Sequence, residues 1–210
     1  MRKGEQTRAS IIATALDLAA LRGLEGLTIG ALAERMQMSK SGVFAHFGSR
    51  EELQMAVLEE YERRFVAEVL APALHTARGL PRLEAICTRW IDRTAVEAAS
   101  GCLWISGATE YDDRPGAIRD RLVSTVRSWQ GELSRAIMQA VETGELVPQV
   151  DVDELVFQLY GLVLVLHHDA RLLNSRDALP RARRSFERLM DSYRVAAQDV
   201  HLSRPSTVDG

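Results

Sequence analysis

Apolar residues recur at helical spacing along almost all of the 210 residues of this chain. The first such segment covers about residues 5–22, with Ile12 and Leu16 on one face, and Gly23 is placed to end it. The valines within residues 155–166 could indicate a buried strand, but the length of their segment and the lack of a second strand candidate favour a helix. The pattern therefore predicts an all-α fold.

Two short helices separated by a tight break follow the first segment. Thr28 is placed to cap the first of them, whose apolar positions continue to Met36. A break at Gln37 and Met38 follows, and Ser39 is placed to cap the second helix. Two helices joined by so short a turn must cross steeply, and such a crossing can place the second helix in a DNA major groove. The segment therefore predicts a helix-turn-helix.

The rest of the chain predicts six further helices, separated by breaks at proline and glycine. Ser49 with Glu52 fits a capping box that begins the first of them. The helix capped by Asp151 is apolar on almost every side, so other elements must cover it on several sides. The predicted helices extend from Ser49 to about Leu70, from Arg82 to Ala98, from Cys102 to Tyr111, from Ala117 to Glu142, from Val152 to Leu172 and from Ala178 to Gln198.

The net charge differs between the two ends of the chain. The whole chain carries a formal charge of −3, which by itself argues against a nucleic-acid-binding protein. Residues 1–50, however, hold 7 lysines and arginines and 4 acidic residues, a net charge of +3. Residues 51–210 hold the remaining 19 lysines and arginines and 25 acidic residues, a net charge of −6. The basic end is the end that holds the helix-turn-helix, as expected of a DNA-binding domain.

Composition predicts a soluble, cytoplasmic protein. Cys87 and Cys102 are the two cysteines, and the amino terminus lacks the apolar run of a signal peptide, which indicates a reducing compartment. Cysteines on apolar helical faces are usually inert, and a redox pair is the alternative for these two. The most apolar segment, residues 155–166, is shorter than the ~20 residues that span a bilayer, so no membrane contact is expected.

The helix-turn-helix residues carry a specific family resemblance. Residues 27–53, with their aromatic-x-His-Phe recognition helix, resemble the amino-terminal DNA-binding domain of the TetR family of bacterial transcriptional regulators. The resemblance implies a three-helix DNA-binding domain in residues 1–50 and a larger helical ligand-binding and dimerisation domain in residues 51–200. The polar composition of residues 201–210 predicts a disordered tail. The matching residues are Thr28, Ile29, Leu32, Ala33, Met38, Ser39, Lys40, Gly42, Phe44, His46, Phe47, Ser49, Glu52 and Leu53.

Several residues of this segment are expected to contact operator DNA. Thr28 and Ser39 lie at helix amino termini, where N–H and hydroxyl groups suit phosphate oxygens, and Lys40 can reach phosphate or a guanine edge. Gln37 and Phe44 stand where the family usually has glycine and tyrosine. The alternative for these residues is ordinary capping and a solvated surface. The resemblance implies DNA contacts by Thr28, Ser39, Lys40, Ser41, Gly42, Phe44, His46 and Arg50.

Aromatic residues of the carboxy-terminal part lie on helices that surround a ligand cavity in this family. Aromatic residues at helical spacing are equally typical of a plain core, so this alternative stays open. A cavity lined by such residues suits a small apolar or aromatic effector. The predicted ligand-binding residues are Trp90, Thr94, Trp104, Tyr111, Trp129, Phe157, Tyr160 and His167, with Ser106, Thr109 and Glu110 as further candidates.

The last two predicted helices present more apolar surface than one small domain can cover. Pairing with a two-fold copy into a four-helix bundle would bury this surface, which predicts a homodimer. The predicted interface residues are Leu155, Leu159, Leu162, Val163, Leu166, Phe186, Leu189 and Tyr193.

The motifs favour a regulator over an enzyme. The chain contains no phosphate-cradling glycine loop and no HExxH, GxSxG or CxxC motif. His167 and His168 would point about 100° apart on a helix, so neither a metal site nor a cofactor is predicted. We predict a homodimer, usually a repressor in this family, that binds a palindromic double-stranded operator and leaves it when an effector binds. The alternatives are a ligand-independent regulator or activator, and a helical small-molecule-binding module that has lost DNA binding, which Gln37 and Phe44 would support.

Overall fold

Every regular element within residues 3–196, the part of the chain that the computed structural model describes, is a helix, which confirms the all-α prediction. The predicted tail at residues 201–210 lies outside the described residues. A π-helical turn, Val66–Leu70, joins the fourth helix to the fifth. The helices are α1 (Lys3–Gly26), α2 (Ile29–Met36), α3 (Lys40–Phe47), α4 (Arg50–Phe65), α5 (Ala71–Ala73), α6 (Leu80–Ser100), α7 (Leu103–Tyr111), α8 (Ala117–Glu142), α9 (Val152–Arg171) and α10 (Ala178–Tyr193).

The amino-terminal helices fold around a small apolar core. Ile11 of α1, Leu32 of α2 and Val43 of α3 are fully buried, because the apolar stripes of the three helices face one another. Gly23 interrupts α1 with φ 76° and ψ 169°, a backbone conformation that only glycine adopts without strain. Beyond this kink, residues 24–26 form a last helical turn that leads towards α2.

The predicted caps begin the helices that follow. Thr28, Ser39 and Ser49 each accept, through the side-chain oxygen, a hydrogen bond from the backbone N–H three residues later, at 3.0 to 3.1 Å. Gln37 ends α2 in the left-handed conformation, with φ 54° and ψ 38°, and the next N–H donates to a carbonyl in the last turn of α2. The helix-turn-helix therefore closes without the glycine that is usual at this position.

The carboxy-terminal helices are arranged around α9. This helix begins after its cap Asp151, as predicted, and contacts α6, α8 and α10. Leu155, Leu159 and Leu166 are buried against these neighbours, which explains why so much of the helix is apolar. Neither α9 nor any other helix within residues 3–196 is long and apolar enough to cross a membrane.

The last helix is shorter than the sequence pattern predicts. It ends at Tyr193 rather than near Gln198 because Arg194 adopts an extended conformation, with φ −67° and ψ 141°. The Val147 N–H donates to the Tyr193 carbonyl at 2.8 Å, and the Val195 N–H donates to a carbonyl of the same loop at 3.1 Å. The chain after α10 therefore pairs with the loop between α8 and α9 instead of continuing as a helix.

Candidate nucleic-acid interface and effector site

The amino termini of α2 and α3 lie side by side on one surface of the amino-terminal domain. A Cβ placed on Gly30, in the first turn of α2, would lie 3.4 Å from Lys40 Cε and 3.9 Å from Thr28 Oγ1. The side chain of Lys40 therefore extends over the start of α2. Ser39 Oγ and Ser41 Oγ, at the start of α3, are 3.1 Å apart. Because helix amino termini carry partial positive charge and Lys40 adds a full one, this surface is suited to bind phosphate oxygens.

Helix α3 exposes most of the predicted DNA-contact residues on one side. Val43 and Phe47 are buried in the core, which turns the opposite side of the helix outward. Phe44 lies on that outer side and is 52% exposed. His46 and Gly42 are half-buried, and the Gly42 N–H donates to the capping hydroxyl of Ser39. An exposed ring at this place can contact a thymine methyl group in the major groove.

Arg50 has a structural role that the sequence analysis did not predict. Its Nε donates to the Leu27 carbonyl at 3.0 Å, and a terminal nitrogen donates to the Glu25 carbonyl. The guanidinium also lies 3.3 Å from the Glu25 carboxylate. Arg50 therefore holds the turn between α1 and α2, and only the outer part of its side chain, which is 40% exposed, is left for DNA.

A polar cluster connects the amino-terminal domain to the end of α7. The Tyr111 hydroxyl donates to Glu25 Oε1 at 2.6 Å. The buried Gln54 amide donates to the Tyr111 oxygen at 3.1 Å and to the Leu24 carbonyl at 2.6 Å. The Glu110 carboxylate accepts a hydrogen bond from the Glu25 N–H at 2.8 Å. We call Glu25, Gln54, Glu110 and Tyr111 the junction cluster.

The charges of the junction cluster are set by these contacts. The hydrogen bond from Tyr111 holds the pKa of Glu25 below its usual value, and the positive charges of Arg50 and Arg114 add to the effect although burial opposes it. Burial raises the pKa of Tyr111 to about 12, and the neighbouring carboxylate contributes to this rise. At neutral pH the Glu25 carboxylate is therefore ionised and the Tyr111 hydroxyl keeps its proton. This is the arrangement that the 2.6 Å hydrogen bond between them requires.

Four of the predicted ligand-binding residues, Trp90, Trp104, Trp129 and Tyr160, belong to one aromatic cluster. The ring of Trp90 lies 5.1 Å from that of Trp129 and 5.4 Å from that of Tyr160, measured between centroids. Phe65 extends the row, at 4.7 Å from Trp129 and 4.4 Å from Trp104. Tilted and edge-to-face contacts of this kind stabilise a core beyond the area they bury. The three tryptophans therefore pack in the core, whereas Tyr160 also lines a surface groove beside Phe157.

The other predicted ligand-binding residues are dispersed. Phe157 is 78% exposed on the outside of α9, and Thr94 is buried in α6. His167 is buried, its Nε2 has no hydrogen-bond partner among residues 3–196, and burial lowers its pKa. Ser106 and Thr109 donate to carbonyls of the preceding turn. The structure therefore does not bring the predicted set into one cavity.

Two family profiles match the sequence. Residues 11–57 match the profile "Bacterial regulatory proteins, tetR family", and residues 79–186 match "Tetracyclin repressor-like, C-terminal domain". The chain belongs to the TetR family. The first profile contains the whole α2–α3 surface, so the resemblance seen in residues 27–53 is confirmed. No curated protein matches the chain.

Several solved structures share the TetR-family fold of this chain. A TetR transcriptional regulator from Chloroflexus aurantiacus is 25% identical, with a TM-score of 0.79, over 93% of this chain and 100% of its own. A putative transcriptional regulator from Saccharomonospora viridis in complex with choline is 21% identical, with a TM-score of 0.75, over 91% of this chain and 99% of its own. AibR in complex with isovaleryl coenzyme A and operator DNA is 22% identical, with a TM-score of 0.63, over 88% of this chain and 94% of its own.

In this TetR-family chain, the residues predicted to form the dimer interface lie mainly inside the protomer. Leu155, Leu159, Val163, Leu166 and Phe186 are buried within the chain itself, and Leu162, Leu189 and Tyr193 are half-buried. Helix α9 is apolar on both its inward and its outward side, so the sequence pattern could not show which side faces a partner. The predicted residues are those of the inward side. We call the residues on the outward side the outer α9 face: Phe157, Gly161, Leu164, Val165, His168 and Leu172.

Sequence reasoning missed two polar clusters of this TetR-family structure. Nothing near Glu25 in the sequence indicates that its partner Tyr111 lies in α7, so the junction cluster had no local signal. The second group joins α4 to α6, where the Tyr61 hydroxyl donates to Glu97 at 2.7 Å and Arg93 pairs with Glu97 at 2.9 Å. Burial raises the pKa of Glu97. The four-residue spacing of the arginine and the glutamate was the only signal in the sequence.

Proposed function

We propose that this chain is a homodimeric, ligand-responsive transcriptional repressor that binds a palindromic operator and leaves it when a small effector binds. The observation that carries the proposal is the joint surface of the α2 and α3 amino termini, where Lys40 extends over Gly30 beside Thr28. Membership of a family of bacterial regulatory proteins supports the same function.

In the proposed complex, α3 enters the major groove. The hydroxyls of Thr28 and Ser39 and the nearby free N–H groups position the domain on phosphates. Lys40 binds a phosphate or a guanine edge, and the exposed ring of Phe44 contacts a thymine methyl group. The further proposed contacts are Ser41, Gly42, His46 and the outer part of Arg50.

In the proposed dimer, the outer α9 face packs against its two-fold copy. Phe157 projects from this face one turn before Gly161, and a Cβ placed on Gly161 would meet no described atom within 4 Å. A projecting ring next to a space on the same surface is self-complementary, as a two-fold interface requires. Sedimentation at micromolar concentration should therefore give about twice the chain mass of 23.4 kDa. A monomer would overturn the two-half-site mechanism.

The proposed effector acts through its different affinity for two arrangements of the protein, only one of which matches successive major grooves. A difference of about 1–3 kcal/mol would change DNA binding by about 5- to 150-fold. AibR is described with isovaleryl coenzyme A and operator DNA, and the Saccharomonospora regulator with choline, which supports a small effector for this fold. We propose a mainly apolar effector that binds in the carboxy-terminal domain, where the chain has its three tryptophans, so that binding changes the tryptophan fluorescence.

Selection from genomic DNA tests the proposed function and identifies the operator in the same experiment. The purified protein is mixed with fragmented genomic DNA, and the fragments that it retains are sequenced. We expect one enriched sequence with two inverted half-sites, because a two-fold dimer presents two copies of α3 about 34 Å apart. Retention of fragments without a shared sequence would contradict the proposal.

A further inference from the structure

A groove of about 330 Å³ lies between the end of α7 and the first half of α8. We call it the α7–α8 groove. Its walls are mostly apolar and include Leu122, Val123 and Val126 of α8 together with Ala108 and Tyr111 of α7. The volume is at the lower end of those of small-molecule sites, and apolar walls with a few polar groups are typical of such sites.

The rim of the α7–α8 groove carries an unbalanced positive charge. Arg127 is exposed and makes neither an ion pair nor a hydrogen bond with any residue within 3–196. Arg119 also lines the groove, and its Nε donates to the main-chain carbonyl of Asp112 at 2.9 Å. The Asp112 carboxylate is the acid of the lining and accepts from the next N–H in the chain. Two guanidinium groups against one carboxylate leave a single positive charge, which one anionic group would neutralise.

The α7–α8 groove shares a residue with the junction cluster. Tyr111 lines the groove, while its hydroxyl donates to Glu25 Oε1 at 2.6 Å and accepts from Gln54 at 3.1 Å. Glu25 lies in the last turn of α1, two residues before the connection to α2. A molecule that turns the ring would therefore move the hydroxyl away from the residues that position the helix-turn-helix.

We propose that the α7–α8 groove binds a small apolar monocarboxylate, whose carboxylate pairs with Arg127, and that Tyr111 transmits its binding to Glu25. The inference rests on the proposed regulatory function and specifies where and how that function is controlled. Arg127 is the specificity-determining residue of the site, and Tyr111 is a positioning residue that acts on the DNA-binding surface through Glu25.

The first experiment measures ligand binding alone, by calorimetry on the full chain without DNA. The probes are butanoate, octanoate and phenylacetate, with 1-octanol and octylamine as matched compounds that lack the negative charge. We expect at least one acid to bind with a Kd below about 1 mM and about tenfold more tightly than either uncharged or cationic compound. Arg127→Gln should weaken binding about tenfold, and Val126→Trp, which fills the groove, should abolish it. Arg89→Gln, an exposed arginine of α6, is the control and should not change it.

The outcomes of this experiment separate the groove from the general function. If no acid binds, or if the acids bind Arg127→Gln and Val126→Trp as tightly as the wild type, the groove is not the site, whether or not the protein binds an operator. Absence of operator binding would instead contradict the proposed function and leave the calorimetric result intact.

The second experiment measures transmission, by the change in operator affinity that a saturating acid causes. We expect the acid that binds best to weaken operator binding at least about fivefold in the wild type. In Tyr111→Phe the ring that lines the groove remains, so the acid still binds, but the change in operator affinity should fall below about twofold. An equal change in both proteins would show that the signal does not pass through Tyr111.

Discussion

Replacing Tyr111 by phenylalanine tests the junction cluster through protein stability. The change deletes one hydroxyl and keeps the ring. The hydroxyl donates to Glu25 at 2.6 Å and accepts from the amide of Gln54, which is 4% exposed and keeps its bond to the Leu24 carbonyl. A hydrogen bond to a charged acceptor contributes about 1.5–3 kcal/mol. The Glu25 side chain is 42% exposed and keeps Arg50 nearby, so we expect a net loss of about 1–2 kcal/mol.

The loss should be visible in thermal and urea unfolding. For a chain of this size, about 1 kcal/mol corresponds to roughly 2–4 °C, so Tm should fall by about 2–8 °C. Tyr193→Phe is the matched control, because the Tyr193 hydroxyl makes one longer contact, 3.4 Å from Gln158, and the expected change is below about 0.5 kcal/mol. A double-mutant cycle with Glu25→Gln should show non-additive losses, since the two residues are in direct contact. Equal Tm values for wild type and Tyr111→Phe, or additive losses, would refute the reasoning.

The same variant should also change the dependence of stability on pH. The pKa of Glu25 is lower in the folded chain than its ordinary value of 4.5, mainly because of the bond from Tyr111. Such a group stabilises the folded chain above pH 4.5, and this contribution is lost as the pH falls through the lowered folded-state pKa. The difference in unfolding free energy between wild type and Tyr111→Phe should therefore be larger near neutral pH than at a pH well below 4.5.

Three other variants or treatments test separate parts of the structure. Gly23→Ala should destabilise the chain by about 1–3 kcal/mol or more in urea unfolding, because φ is 76° and the new Cβ would lie 2.0 Å from a carboxylate oxygen of Glu110. An unchanged unfolding midpoint would mean that α1 is not kinked at Gly23. Phe157→Asp should convert the dimer to a monomer in sedimentation, and a stable dimer in this variant would place the interface elsewhere. Cys87 and Cys102 should react with thiol reagents at pH 8 only after unfolding, because burial raises the pKa of both, that of Cys102 to about 12; rapid reaction of the folded chain would contradict their burial.

The sequence predicted well what depends on neighbouring residues. The caps at Thr28, Ser39 and Ser49 and the bounds of α8 follow from local hydrogen bonding and helical periodicity, and the structure confirms them. The end of α10 could not be found in the same way. It depends on pairing between Tyr193 and the loop near Val147, about 45 positions earlier, for which periodicity gives no signal.

The site was less predictable because its properties depend on contacts between distant segments. Helical spacing places Trp90 and Trp129 on inward sides, but it cannot distinguish rings that pack edge to face in a core from rings that line a cavity. For α9, which is apolar nearly all round, periodicity cannot separate the inner Leu159 from the outer Phe157. The family resemblance predicts Arg50 as a DNA contact, but its guanidinium donates to the carbonyls of Glu25 and Leu27, a contact between distant segments for which the sequence has no signal.

The most direct test of the DNA-binding surface is the affinity of Lys40→Ala for the DNA sequence that the wild-type protein retains. Fluorescence anisotropy at several salt concentrations gives both the Kd and its salt dependence, with Arg89→Ala as the control. We predict a loss of about 1–3 kcal/mol for Lys40→Ala, with unchanged dimer mass and Tm, and a salt dependence reduced by roughly one unit per half-site if the lost contact is to phosphate. An affinity equal to that of the wild type and of Arg89→Ala would contradict the placement of the DNA-binding surface at the α2 and α3 amino termini.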